Sequence, residues 1–275
     1  MKIYKFSNIL SVPFFLAALY FLFRLIDDTH DLMAAWATVP LVILVLIYLF
    51  QPQIDYWWLS RNPVGVDKEV RDMICYTNPF YRTLADTEKE EFHKRLLLYE
   101  NGREFIAKGM EKDTNVPYDI RYMISQIPVT LSFWNKNFLI EKYDRVVIYK
   151  HAFPSPLKRF LHTYEINQED GVIIFSLEHA EASFFKPKQF FNVAWQAYAE
   201  AYLDENPRLF NLPENYTWHK LEIITGFSKA FIEKTAGFSE VSLKAATLVA
   251  YFLYPEEFKA KEGALYQNMK ARFRA

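Results

Sequence analysis

The run "FFNVAWQAYAEAYLDEN" (residues 190–206) carries Gln196 and Glu200 four positions apart. On a helix that spacing stacks both side chains on one face, a single turn apart. Two histidines so placed, with a glutamate directly after the first, make the H-E-x-x-H zinc helix: the imidazoles hold the metal and the glutamate takes the proton of its bound water. Here the sequence reads Gln196-Ala197-Tyr198-Ala199-Glu200. The amide and carboxylate could offer oxygen donors, but the methyl of Ala197 can accept no proton. The segment is either an ordinary amphipathic helix or a metal helix without its chemistry.

Other residues that could do chemistry are scattered. Six histidines are present, at positions 30, 93, 151, 162, 179 and 219. His179 lies between Glu178 and Glu181, and His219 three residues before Glu222, but neither group has a third ligand, so solvated side chains are expected. His151 follows a strand-like run and is expected to cap or be hydrogen-bonded. Cys75 is the sole cysteine. It excludes an internal disulfide and is expected to be a buried, inert thiol. There is no G-x-S-x-G, no P-loop and no dinucleotide-binding glycine pattern, and seven glycines in 275 residues leave little material for phosphate-cradling loops.

The elements that must position these residues fall into two kinds of sequence. "ILSVPFFLAALYFLF" (residues 9–23) and "MAAWATVPLVILVLIYLF" (33–50) are each close to the length of a bilayer span, with only "RLIDDTHD" between them. They predict a two-helix transmembrane hairpin over residues 1–58. Lys2 and Lys5 precede the first span, Arg61, Lys68 and Arg71 follow the second, and the connecting turn is acidic. This pattern predicts both ends in the cytoplasm, hence a multi-pass protein of the cell or inner membrane. Tyr56, Trp57 and Trp58 stand where an interfacial aromatic belt belongs.

Residues 59–84 are expected to be a connector, and 85–275 a single α+β domain. A capping box is predicted at Thr87 and Glu90 for a helix ending at Asn101-Gly102. A strand follows near residues 103–110, then a helix over 117–134 that Pro128 should kink or end. "RVVIYKHAF" predicts a strand, and 160–177 a hairpin turning on "NQEDG". Helices are then expected over 187–204, 218–235, 241–254 and 256–274. A net charge of −1 gives no electrostatic case for nucleic acid as a partner.

From about Leu84 onward the order of these stretches resembles the Mlc titration factor A family of glucose-regulated, zinc-dependent metallopeptidases. "LADTEKEEFHKRLLLYENGREFI" resembles that family's first helix and strand, "VVIYKHAF" its "VLVYPGAF" strand, and "EDGVIIFSL" its "GPVVLSW" stretch. "FFNVAWQAYAEAYL" stands where the family has "NVVLHEFAHQLD". "TAGFSEVSLKAATLVAYFLYPEEF" aligns without a gap on "YAATNPAEFFAVASEAFFERPEEF". The resemblance implies a zincin-like fold with a small sheet and a mostly helical C-terminal half. It also implies degenerate positions: Gln196 and Glu200 for the two histidine ligands, Ala197 for the general base, Val249 for the third ligand (a glutamate), and Thr235 for the tyrosine opening the last motif. With these changes no zinc and no other cofactor is expected, and no residue is assigned a catalytic role. If the cleft persists, Trp195, Tyr198 and Thr235 are candidates to line it.

The expected function is therefore a membrane-anchored, catalytically inactive homologue of a zinc peptidase, a pseudoenzyme binding a protein or peptide as adaptor or regulator. The alternatives are an active zinc-dependent peptidase or hydrolase using an unrecognised site, and a structural membrane protein whose domain supports a complex.

Overall fold

A computed structural model describes residues 5–27, 31–109 and 116–274. The chain divides into two compact units, Met1–Asp67 and Lys68–Ala275.

In the first unit, α1 (Phe6–Asp27) packs on α2 (Asp31–Leu49) and on α3 (Gln51–Arg61). Both long helices turn large apolar side chains outward, Leu16 and Phe23 on α1 and Val42 and Leu46 on α2 among them. The end of the unit is pinned by polar and aromatic contacts. The Ser7 backbone N–H and hydroxyl both donate to the Asp55 carboxylate, at 2.8 and 3.0 Å. Phe6 stacks on Trp58 with ring centroids 4.0 Å apart, and the Arg61 guanidinium lies 4.7 Å from the Trp57 ring centre. The segment Phe6–Leu25 is long and apolar enough to cross a membrane. Most of the second apolar run lies in α2, a single 19-residue helix, and a bend of 70° separates its part Trp36–Leu49 from α3. Pro52 at the start of α3 favours a fresh helix start there, because its ring cannot continue the hydrogen-bond ladder of α2.

The second unit is a mixed α+β structure built around a four-stranded sheet. Its strands are β1 (Glu104–Lys108), β2 (Arg145–Tyr149), β3 (Tyr164–Asn167) and β4 (Val172–Ser176), in the order β1-β2-β4-β3. The first three positions run parallel and β3 closes one edge antiparallel to β4, Tyr164 opposite Phe175. The β3–β4 turn is tied by an Asx contact, with the Asp170 N–H donating to Asn167 Oδ1. It ends at Gly171, where φ is +65° and any Cβ would stand 2.6 Å from the Lys142 carbonyl oxygen. The predicted hairpin is present, but its first strand begins at Tyr164 rather than Phe160. His162 instead forms an isolated bridge with Phe153.

The helices are α4 (Lys68–Thr77), α5 (Pro79–Arg82), α6 (Asp86–Asn101), α7 (Tyr118–Leu131), α8 (Leu177–Phe185), α9 (Val193–Glu205), α10 (Trp218–Thr225), α11 (Lys229–Ala236), α12 (Leu243–Leu253), α13 (Pro255–Lys261) and α14 (Gly263–Arg274). Several differ from expectation. The connector is not a connector: its later part forms α4 and α5, which belong to this unit. Ile74 is wholly buried, and the buried Gln126 amide donates to Thr77 Oγ1 at 3.0 Å. The Asn78 amide donates to Thr130 Oγ1 at 2.7 Å, while its carbonyl caps α5 by accepting from the Tyr81 N–H. Cys75, one position round the helix from Ile74, is exposed rather than buried. The start of α6 lies at Ala85, whose N–H donates to the Glu88 carboxylate at 2.8 Å, not at Thr87. Pro128 does not end α7, which runs on to Leu131, and its carbonyl accepts the Ser132 N–H at 3.0 Å. The stretch holding His179 is the helix α8, begun directly at the end of β4 with no turn residues to announce it. The predicted helix over 218–235 is two, broken at Gly226 with φ of +80°.

The core lies where α9 meets the sheet. This helix packs on β3 and β4 and between α7 and α12. Ala194, Ala197, Ala199 and Ala201 are all buried, and such small side chains let neighbouring elements approach the α9 backbone closely.

Candidate functional site

Asn192 starts α9 by accepting the Trp195 N–H on its side-chain carbonyl, at 3.0 Å. The helix then presents Gln196 and Glu200 toward β3 and the start of α12. The Gln196 amide donates to Glu200 Oε1 at 2.8 Å and to the Ser242 carbonyl at 3.3 Å. The Tyr164 hydroxyl, from β3, donates to the same Glu200 oxygen at 2.8 Å. Ser242 is itself the cap of α12, its hydroxyl accepting the Ala245 N–H. Three elements therefore meet at a single carboxylate.

Burial raises the Glu200 pKa above the usual carboxylate value, and the donors Gln196 and Tyr164 and the Lys158 charge oppose that rise. Tyr164 is raised well above an ordinary phenol, first by burial and then by the neighbouring Glu200. The Gln196 side-chain oxygen is buried without a hydrogen-bond partner. Turning the amide over would satisfy nothing, because it would aim that oxygen at the carboxylate.

The remaining predicted positions are mostly interior. Gln196, Ala197, Trp195 and Tyr198 are fully buried and Val249 nearly so. Trp195 packs on Phe252 with centroids 6.0 Å apart, and Tyr198 meets Tyr99 at 6.4 Å. Both are interior residues shut off from solvent. Val249 is on α12, which packs on α9. Thr235 is half-buried on α11, where its carbonyl accepts the Thr163 hydroxyl at 2.9 Å. Of the degenerate positions, Gln196 and Glu200 are bonded to each other. Zinc held by three protein ligands with one open position does not fit these residues, since an amide and a carboxylate already bonded together and an aliphatic side chain cannot supply the ligand set. Among the described residues, no group of three or more His, Cys, Asp or Glu side chains is placed to hold a metal ion.

A second polar cluster beside Glu200 escaped the sequence reading. The His162 ring is buried, donates from Nδ1 to the Phe160 carbonyl at 2.9 Å, and places Nε2 3.1 Å from Glu165 Oε2. That approach is close but misaligned for a hydrogen bond. The Ser155 hydroxyl donates to the same Glu165 oxygen at 2.6 Å. Lys158 lies over the Phe238 ring, 3.5 Å from its centre. Burial lowers its pKa, against the opposing charges of Glu165, Glu200 and Glu240. No local pattern in "FPSPLKRFLHTYE" announces this cluster, because it is assembled by the bridge between Phe153 and His162. Four other histidines among the described residues have partners: His151 with Glu178 at 2.7 Å on the surface, His179 with the Ser176 hydroxyl at 2.9 Å, His93 with the Tyr81 hydroxyl at 2.8 Å, and His219 beside Glu222 at 3.9 Å.

No protein-family model matches the sequence, and no curated protein matches it.

Proposed function

We propose that this chain is a membrane-anchored relative of the zinc-dependent peptidases that has lost catalysis and acts as an adaptor or regulator by binding a protein or peptide. The observation carrying this reading is the Gln196–Glu200–Tyr164 cluster. On the helix face where a zincin holds its metal, an amide and a phenol both donate to one carboxylate oxygen. The small mixed sheet, with an antiparallel edge strand beside that helix, also supports a zincin-like ancestry. The apolar Phe6–Leu25 segment supports anchoring. Two spans, with the N-terminus and the Lys68–Ala275 unit in the cytoplasm, are the arrangement that best accommodates the basic flanks of the first unit.

The test uses the full chain purified in detergent. It should contain far less than one zinc per chain and leave peptides uncut, whereas stoichiometric zinc or zinc-dependent cleavage would make the hydrolase reading the better one. The combined variant Gln196→His, Ala197→Glu, Glu200→His and Val249→Glu should acquire cobalt(II) or zinc binding. A folded variant without affinity for either metal would remove the zincin ancestry. Isolated gently from native membranes, the protein should carry a second polypeptide in fixed ratio. Recovery of the chain alone would count against the adaptor role.

A further inference from the structure

We infer that the 154–161 loop of the second unit inserts apolar side chains into an anionic lipid surface. Leu157, Phe160 and Leu161 stand within five consecutive residues and are 66%, 51% and 65% exposed. Large apolar side chains clustered so tightly on a surface mark an interaction site.

The loop is a rigid platform. The Ser155 N–H donates to the Lys158 carbonyl at 2.8 Å, and the Lys158 N–H donates back to Ser155 Oγ at 2.9 Å. Phe153 and His162 exchange backbone hydrogen bonds at its base. Glu165 is turned inward onto Ser155 and His162, and Lys158 lies on Phe238. Gly237 abuts the Leu161 carbonyl so closely that a Cβ there would stand 2.6 Å away. Ordering the loop in this way while leaving three apolar tips in water has a cost that an apolar medium would offset.

Charge selects the medium. Between the apolar tips stands Arg159, which is exposed, and among the described residues it has no hydrogen bond or ion pair. Of the acidic groups whose charge reaches the loop at Lys158, Glu165 is turned inward onto Ser155 and Glu200 is bonded to Gln196 and Tyr164, which leaves Glu240 as the exposed one. An arginine amid apolar tips is complementary to phosphate head groups over acyl chains. The inference rests on the anchored reading above, because the Phe6–Leu25 segment is what would keep the loop in reach of a bilayer.

The experiment uses the full chain in vesicles, with Cys75→Ser and single cysteines at Leu157, Leu16 or Glu169 carrying an environment-sensitive fluorophore. In vesicles containing phosphatidylserine, the labels at Leu157 and Leu16 should emit at shorter wavelength and be quenched by nitroxides on the acyl chains, while the Glu169 label should not. Arg159→Gln should lower the inserted-to-withdrawn ratio of the Leu157 label about fivefold. A quenched Leu16 label with an unquenched Leu157 label overturns the loop inference and leaves the anchor intact. An unquenched Leu16 label overturns the anchor instead, whatever the loop does. A shortened Leu157 wavelength without nitroxide quenching would show contact between copies of the chain and also overturn the lipid assignment.

Discussion

Glu200 is the residue at which the sequence pattern and the tertiary structure meet, and its protonation should be visible in stability. Because its folded pKa is raised by burial, the folded protein holds this proton more tightly than the unfolded chain does. The stabilisation from protonated Glu200 is complete below the unfolded value and is lost as pH rises through the folded one. Glu100 and Glu205 are also raised by burial and share this sign, whereas Glu178 is lowered, chiefly by its hydrogen bond to His151, and has the opposite one. Comparing Glu200→Gln with the parent isolates one contribution. The variant should unfold less steeply with rising pH above about 4.3, the ordinary glutamate value, as followed by near-ultraviolet circular dichroism. An unchanged slope would mean that Glu200 is better solvated than its contacts indicate. At this scale the sequence was half legible. The four-residue spacing of Gln196 and Glu200 located the cluster, because helical periodicity is a local property. Tyr164 and Ser242 could not be read off, since only the packing of β3 and α12 against α9 brings them there.

Elements announced by local rules were found where those rules apply, and missed where tertiary contacts decide. The strands at 104–108, 145–149 and 172–176 are β-branched or apolar runs, and each was expected. The helix α8 lacks a turn before it, and α4 is held by Thr77 and Ile74 in a region whose prolines and glycine read as a connector. Two element-level predictions follow from that packing. Asn78→Ala removes both the α5 cap and a donor to Thr130, so it should destabilise the protein by about 2 kcal/mol. A thermal midpoint unchanged from the parent would return α4 and α5 to the status of a loose connector. The helix-ending glycines offer a sharper comparison. Gly226 and Gly237 have nearly the same backbone, φ of +80° and +85°, but a Cβ at Gly226 meets open space while one at Gly237 strikes the Leu161 carbonyl and the His162 backbone. Gly226→Ala should cost about 1 kcal/mol from the left-handed conformation alone. Gly237→Ala should cost about 2–4 kcal/mol, because overpacking adds to it. Equal midpoints for the two variants would mean that the 154–161 loop yields freely.

For the whole molecule, the division into two units follows the change in sequence character, but it falls at Asp67 and Lys68 rather than within a long linker. The proposed orientation predicts that a fluorescent or enzymatic reporter fused after Ala275 is active in the cytoplasm, and that one inserted at Asp28 reports the opposite side. A carboxyl-terminal reporter active only outside would remove the cytoplasmic adaptor reading. The general class, an α+β unit behind an apolar N-terminal segment, was legible because composition and periodicity are summed over many residues. Membrane orientation and ancestry are not encoded in that sum. The strand order has one last consequence, which concerns synthesis. β2 lies between β1 and β4, so β1 has no strand partner until the ribosome has passed Tyr149, and β3 has none until Ser176 is made. The sheet face is still bare until α9 emerges. The apolar helices of the first unit leave the ribosome long before this. During translation the nascent chain therefore passes through a period in which the apolar Phe6–Leu25 segment is complete while the rest still lacks its long-range contacts and is exposed to aggregation.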